Sequence, residues 1–237
     1  MASLNDHWSL HARPIYRPLL HRDCYAIIPG LLSAAARAAM AGLYDTPGIG
    51  FRSTVVMARH GYGAGEYRYF ARPLPVPVQA LREGLYPALA TIANQWADRL
   101  GEDRRWPAEH RDLAALCAAA GQTRPTPLLL RYGPGDYNRL HQDLYGPLAF
   151  SLQVVILLDR PGEDFTGGEL ILVEGRARMQ SRPILVPLRQ GDAAIIPVRE
   201  RPIAGARGWS KATMRHGVTE LRSGARRTLG IIFHDAA

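Results

Sequence analysis

The chain has one lysine, Lys211, and two cysteines, Cys24 and Cys117. It has no apolar run near the roughly 18 residues that a membrane-spanning helix needs. Each scarcity excludes something. Two cysteines without a spacing pattern make neither a disulfide framework nor a structural zinc set, so both read as free thiols of a reducing compartment. The start, Met1-Ala2-Ser3-Leu4-Asn5-Asp6, is polar, so no secretory signal and no membrane anchor is expected, and the expected location is cytoplasmic. There is no internal repeat, low-complexity tract or second domain. What the chain does have is arginine: 29 basic residues, all but one of them arginine, set a net charge of +8 and a pI near 9.9. A planar guanidinium grips phosphate with two bonds, which makes DNA or RNA a candidate partner. The same surplus would also serve solubility alone. Oligomeric state is not readable.

The pattern changes along the chain. Residues 1 to 22 show no clear periodicity and read as a loop or arm, with a short helix as an option. Tyr25 to Gly30 reads as a short strand, and Ser33 caps a helix from Ala34 to Leu43. Phe51 to Ala58 and Tyr67 to Arg72 are strand-like and flank a glycine-rich loop beginning at His60, so a strand–loop–strand flap is expected. Apolar residues at helical spacing from Val78 to Leu100 predict a helix, kinked or split at Pro87. A further helix runs from Trp106-Pro107 to Ala120, with Gly121 as its stop. Beyond Thr126 the signal is β: at least seven short strands, with the Leu152–Leu158 run buried on both faces. The expected fold is therefore α+β, a β-sandwich or jelly roll with N-terminal helices packed on one side. Residues 1–125 form the arm, lid and helices of this single domain, and 126–237 its core.

The chemistry sits in Leu140-His141-Gln142-Asp143. On a strand, residues two apart share a face, so His141 and Asp143 present an imidazole and a carboxylate side by side. One more histidine from a distant strand completes a facial metal triad, and Arg215-His216-Gly217-Val218 supplies it. Such a triad leaves one face of Fe(II) open for a bidentate 2-oxo acid and O2. The far carboxylate of 2-oxoglutarate then needs a buried arginine and a hydroxyl. Arg226 and Tyr132 are the candidates, with Thr228 on the Arg226 face. Arg227 is the alternative, because alternation allows only one of the two arginines to point inward. His60 lies in the flap, where it could meet substrate. His7, His11, His21 and His110 are expected at the surface, and His234-Asp235 only mimics the start of a metal pair. The segment 199–211 either rims the site or is a solvated connection.

At these residues the sequence resembles a family. Arg131-Tyr132-Gly133-Pro134-Gly135 through Leu140-His141-Gln142-Asp143 is similar to the Arg-Tyr-x-Pro-Gly…Leu-His-x-Asp segment of AlkB-type nucleic-acid dealkylases. His216-Gly217-Val218 and Arg226-x-x-Leu229 are similar to its second half, and the likeness covers residues 104 to 235. The resemblance implies a double-stranded β-helix (jelly roll), with Fe(II) at His141, Asp143 and His216, and 2-oxoglutarate at Arg226 and Tyr132. It also implies a nucleotide-recognition lid over 51–72, with Tyr67, Tyr69 and Arg68 against a flipped base. Leu130 stands where the family has asparagine, and Ile232 where it has a second arginine. The spacing from histidine to arginine is closer to that of prolyl-hydroxylase-like oxygenases. The expected activity is an Fe(II)- and 2-oxoglutarate-dependent dioxygenase that hydroxylates a C–H bond, removing alkyl groups from modified bases. The alternatives are a protein side-chain or small-molecule hydroxylase on the same scaffold, and a non-catalytic metal-binding jelly roll.

Overall fold

The structure, a computed structural model, describes residues 16–206 and 208–237. Two antiparallel sheets face each other. The major sheet runs β2 (Phe51–Val56), β4 (Glu66–Phe70), β5 (Leu128–Tyr132), β15 (Arg226–Ile232), β7 (Leu152–Leu157), β11 (Ala193–Pro197), β1 (Ala26–Ile28), written in spatial order. The minor sheet runs β3 (Gly63–Ala64), β6 (Tyr137–His141), β13 (Gly208–Val218), β9 (Leu170–Gly175), β10 (Arg182–Val186), with β12 (Glu200–Gly205) also paired to β13. A two-stranded pair, β8 (Phe165–Gly167) with β14 (Leu221–Gly224), closes one end. This is the expected jelly roll.

Period-two alternation builds both of its interfaces. In β7, Leu152, Val154 and Ile156 belong to the apolar layer beneath the helices, while Val155 and Leu157 belong to the layer between the sheets. In β15, Leu229 and Ile231 face the helices. The helical side is covered by α3 (Val76–Leu100), which follows α1 (Tyr16–Arg22) and α2 (Ala34–Gly42) and precedes α4 (His110–Ala119). On α3, Val78, Leu81, Leu85, Leu89, Ile92 and Trp96 recur at three- and four-residue intervals and are all buried. Burial of each is worth about 1.5–3 kcal/mol.

Some expectations are corrected here. Pro87 does not split α3; the helix continues through it. Proline removes one hydrogen bond, to the carbonyl of Glu83. Glu83 is exposed, so water can take that acceptor, and the buried stripe holds the helix on both sides. Most of the segment 199–211 is strand rather than loop, in the β12–β13 hairpin. His7 and His11 lie outside the described residues. His21 is half-buried beside Trp96 and Trp209.

His110 is buried rather than exposed, because it begins α4 on the face that packs over the end of β15. Its Nε2 lies 3.0 Å from the carbonyl oxygen of Phe233, and burial pulls its pKa down to about 4. His234 and Asp235 fasten the C-terminus to the helical layer. His234 Nδ1 accepts from the Phe150 N–H at 3.2 Å. Asp235 pairs with Arg72 and, at 2.7 Å, with the buried Arg82, which also donates to the carbonyls of Ile232 and Phe233. Asp235→Ala leaves that guanidinium buried without its anion, so urea denaturation is expected to show a loss of about 3–5 kcal/mol.

Candidate metal centre and cosubstrate pocket

β6 and β13 are neighbours in the minor sheet, and their register sets His141 directly opposite His216. The ring centroids are 4.2 Å apart. A bulge follows His216, and Gly217 is required there: a Cβ at that position would stand 2.7 Å from the Asn138 carbonyl oxygen. β6 ends at His141, so Asp143 lies just past the strand. Gln142 between them is tied down by a bond from its Nε2 to the Met214 carbonyl at 2.8 Å. Asp143 Oδ2 is 3.3 Å from His216 Nε2, and Oδ1 is 3.7 Å from His141 Nε2. One donor atom from each of the three residues falls within a 4.8 Å span.

The surroundings prepare these groups as ligands. His141 Nδ1 is 2.7 Å from the Arg139 carbonyl, which fixes the ring with Nε2 toward the other two. Burial and the neighbouring His216 pull the His141 pKa down against the opposing pull of Asp143, which favours the neutral, ligating imidazole. Burial alone would raise the Asp143 carboxyl. Hydrogen bonding and charge from His216, with help from His141 and the Tyr145 hydroxyl, outweigh it and hold the group well below the usual carboxylate range. Two imidazoles and one carboxylate on one wall of an open cavity are a donor set that suits Fe(II).

The group lies in a cavity of about 520 Å³. At its inner end the pairing of β15 with β5 sets Arg226 opposite Tyr132, both pointing between the sheets. Arg226 is 2% exposed, and its Nε and Nη1 have no hydrogen-bond partner. A buried guanidinium with unmet donors is a strong sign of a missing anion, and the far carboxylate of 2-oxoglutarate has the matching fork. Arg226 lies 5.5 Å from the Tyr132 ring centroid, and Asn138 Nδ2 donates to the Tyr132 hydroxyl at 3.4 Å. Thr228 is buried and lines the same cavity. Arg227 points the other way and grips Asp159, with Nη2 to Oδ1 at 2.6 Å.

The lid is more firmly built than a flap. Between β2 and β4 the chain makes a short helical turn (Met57–His60) and then contributes β3 to the opposite sheet, so the segment spans both. Tyr67 and Tyr69 line the cavity, edge to face at 5.3 Å. Two expected substrate contacts are corrected. Arg68, on the other face of β4, donates to Glu66 and to the Tyr44 carbonyl and lies 4.3 Å over the Tyr44 ring. His60 is exposed, stacks on Tyr62 and does not line the cavity. Tyr62, Asn138, Tyr145 and Gln153 line it and were not singled out from sequence. Gln153 had a signal: it is the one polar residue in the Leu152–Leu158 run, and its amide nitrogen lies 3.2 Å from His216 Nε2. Tyr145 had a weaker one, two residues after Asp143.

The sandwich is the fold of the 2-oxoglutarate–Fe(II) oxygenases. A Pseudomonas putida prolyl-4-hydroxylase superposes with a TM-score of 0.52 at 14% identity, covering 94% of this chain and 98% of that one. An oxidoreductase of the 2OG-Fe(II) oxygenase family from Burkholderia pseudomallei gives 0.53 at 17% identity, covering 94% and 91%. The sequence model of the Oxygenase-NA family, described as an oxygenase catalysing oxidative methylation of damaged DNA, matches residues 65–236. The chain belongs to that family, and so to the 2-oxoglutarate–Fe(II) oxygenases. Uncharacterized protein Rv2227 of Mycobacterium tuberculosis H37Rv is 50% identical over 168 residues, 71% of this chain and 72% of that protein. MT2286 of strain CDC 1551 gives the same figures. Among the described residues, no helix is long and apolar enough to cross a membrane.

Proposed function

We propose that this oxygenase oxidises alkyl groups on the bases of DNA or RNA, using His141, Asp143 and His216 to hold Fe(II) and Arg226 with Tyr132 to hold 2-oxoglutarate. The observation that carries the nucleic-acid part is the pair of tyrosine rings, Tyr67 and Tyr69, on the wall of the cavity that contains the three ligands. The family's description and the +8 charge favour the same substrate class.

When bound, Fe(II) with 2-oxoglutarate and O2 supplies the oxidising power: one oxygen atom goes into succinate as CO2 leaves, the other into a substrate C–H bond. The protein's own contribution is positional. Asp143 and the two imidazoles would hold the metal from one wall of the cavity. Arg226 would neutralise the far carboxylate, in a cavity whose lining includes the apolar Leu130, Val155 and Leu170. Tyr67, half-buried on the cavity wall, offers a ring to an extruded base with Tyr69 packed behind it, and the exposed Arg139 at the mouth can reach a phosphate. A hydroxylated N-alkyl carbon then leaves as an aldehyde.

The test measures oxygen-dependent succinate formation with N-methylated single-stranded oligonucleotides, proline-containing peptides and small acids. Turnover of the oligonucleotides alone is expected, with binding that weakens steeply as salt rises. Tyr67→Ala is expected to weaken oligonucleotide binding by about tenfold, the loss of one stacked base at 1–3 kcal/mol. Turnover confined to peptides or acids overturns the nucleic-acid assignment.

A further inference from the structure

The two oxygens of Asp143 have different surroundings. Oδ2 faces His216 Nε2 at 3.3 Å, whereas Oδ1, 3.7 Å from His141 Nε2, accepts a shorter bond of 2.6 Å from the Tyr145 hydroxyl. That hydroxyl in turn accepts from the Tyr69 hydroxyl at 2.9 Å. Tyr69 is a wall of the substrate cavity, with the Arg52 guanidinium 4.2 Å from its ring centroid on β2 beside it. A chain of three groups thus runs from the aromatic wall to one oxygen of the carboxylate.

An untethered carboxylate can swing, or can offer both oxygens to a metal and use a position that 2-oxoglutarate or O2 needs. We infer that Tyr145 is a positioning residue that holds Oδ1 of Asp143 away from the metal, so that Asp143 ligates through Oδ2 alone, and that Tyr69 fixes Tyr145 in that task. The Tyr145 ring does not need its hydroxyl for its place. It packs edge-on to Tyr69 at 6.1 Å and tilted against His234 at 5.9 Å, contacts that phenylalanine keeps. The inference rests on the three residues being a metal centre, and not on the substrate being nucleic acid.

The experiment uses the full chain, metal-free, with Co(II) as the probe. It compares wild type, Tyr145→Phe, Tyr69→Phe and the double variant by titration calorimetry, by the visible spectrum of the Co(II) form and by melting of the metal-free protein. Tyr145→Phe is expected to weaken Co(II) binding about 10- to 100-fold and to change the Co(II) spectrum, with the metal-free melting temperature kept. Tyr69→Phe is expected to give a smaller loss in the same direction. The double variant is expected to be no worse than Tyr145→Phe, because Tyr69 acts through Tyr145. Wild-type Co(II) affinity and spectrum in Tyr145→Phe overturn the inference, as do losses in the two single variants that simply add. Should Tyr145→Phe fold poorly, Tyr69→Phe with unchanged Co(II) binding also overturns it. Failure of the wild-type chain to bind Co(II) overturns the metal centre itself.

Discussion

Asp143→Ala is expected to bring succinate formation down to that of a protein-free control while leaving the fold intact. The side chain lies at the open end of the β6–β13 pair, outside both large apolar layers, so its loss removes little packing. What goes is the only carboxylate of the triad, the one group that brings negative charge to a divalent cation beside two imidazole rings. His141→Ala should do the same, since His141 is half-buried and contributes little to the core. Circular dichroism and thermal melting report the fold, and a coupled succinate assay the activity. Full turnover in both variants would remove this mechanism.

The second large effect separates two adjacent arginines. Arg226→Ala is expected to raise the 2-oxoglutarate concentration for half-maximal turnover by at least tenfold, since each charged hydrogen bond lost is worth about 1.5–3 kcal/mol. Its effect on the Fe(II) requirement should be far smaller, because the guanidinium is not among the ligand atoms. Arg227→Ala should leave the 2-oxoglutarate requirement unchanged. It instead removes the partner of Asp159, a carboxylate 3% exposed, and should cost about 1–3 kcal/mol of stability, read by urea denaturation. The reverse pattern, with Arg227→Ala affecting the cosubstrate, would mean that the β15 register is wrong.

These two cases also show where reading from sequence stops. His141 and Asp143 could be paired from their spacing together with the later His216, although β6 ends at His141 and Asp143 lies beyond it, and the short strands, the helical stripe of α3 and a β-sandwich or jelly roll follow from periods of two and 3.6 residues. Arg226 and Arg227 could not be told apart, because alternation states that one faces inward without saying which. Only the pairing with β5, which sets Arg226 opposite Tyr132, decides it. Arg68 failed for the same reason: it alternates with Tyr67 and Tyr69 and so takes the opposite face, where Tyr44 and Glu66 hold it. His110 was misjudged because a polar sequence neighbourhood does not show which side of a helix the protein covers. Tyr145 carries only its place two residues after Asp143; its role comes from Asp143 and Tyr69, the latter 76 residues away in the chain, meeting around it.

By itself the sequence determined the kind of fold, the three metal-ligand candidates and the oxygenase class, because each is written in local spacing and residue chemistry. The tertiary structure alone decided which arginine is buried with unmet donors, which lid residues line the cavity, and which hydroxyl holds the carboxylate. Those depend on strand register and on contacts between distant segments, and neither is fixed until the sheets have paired.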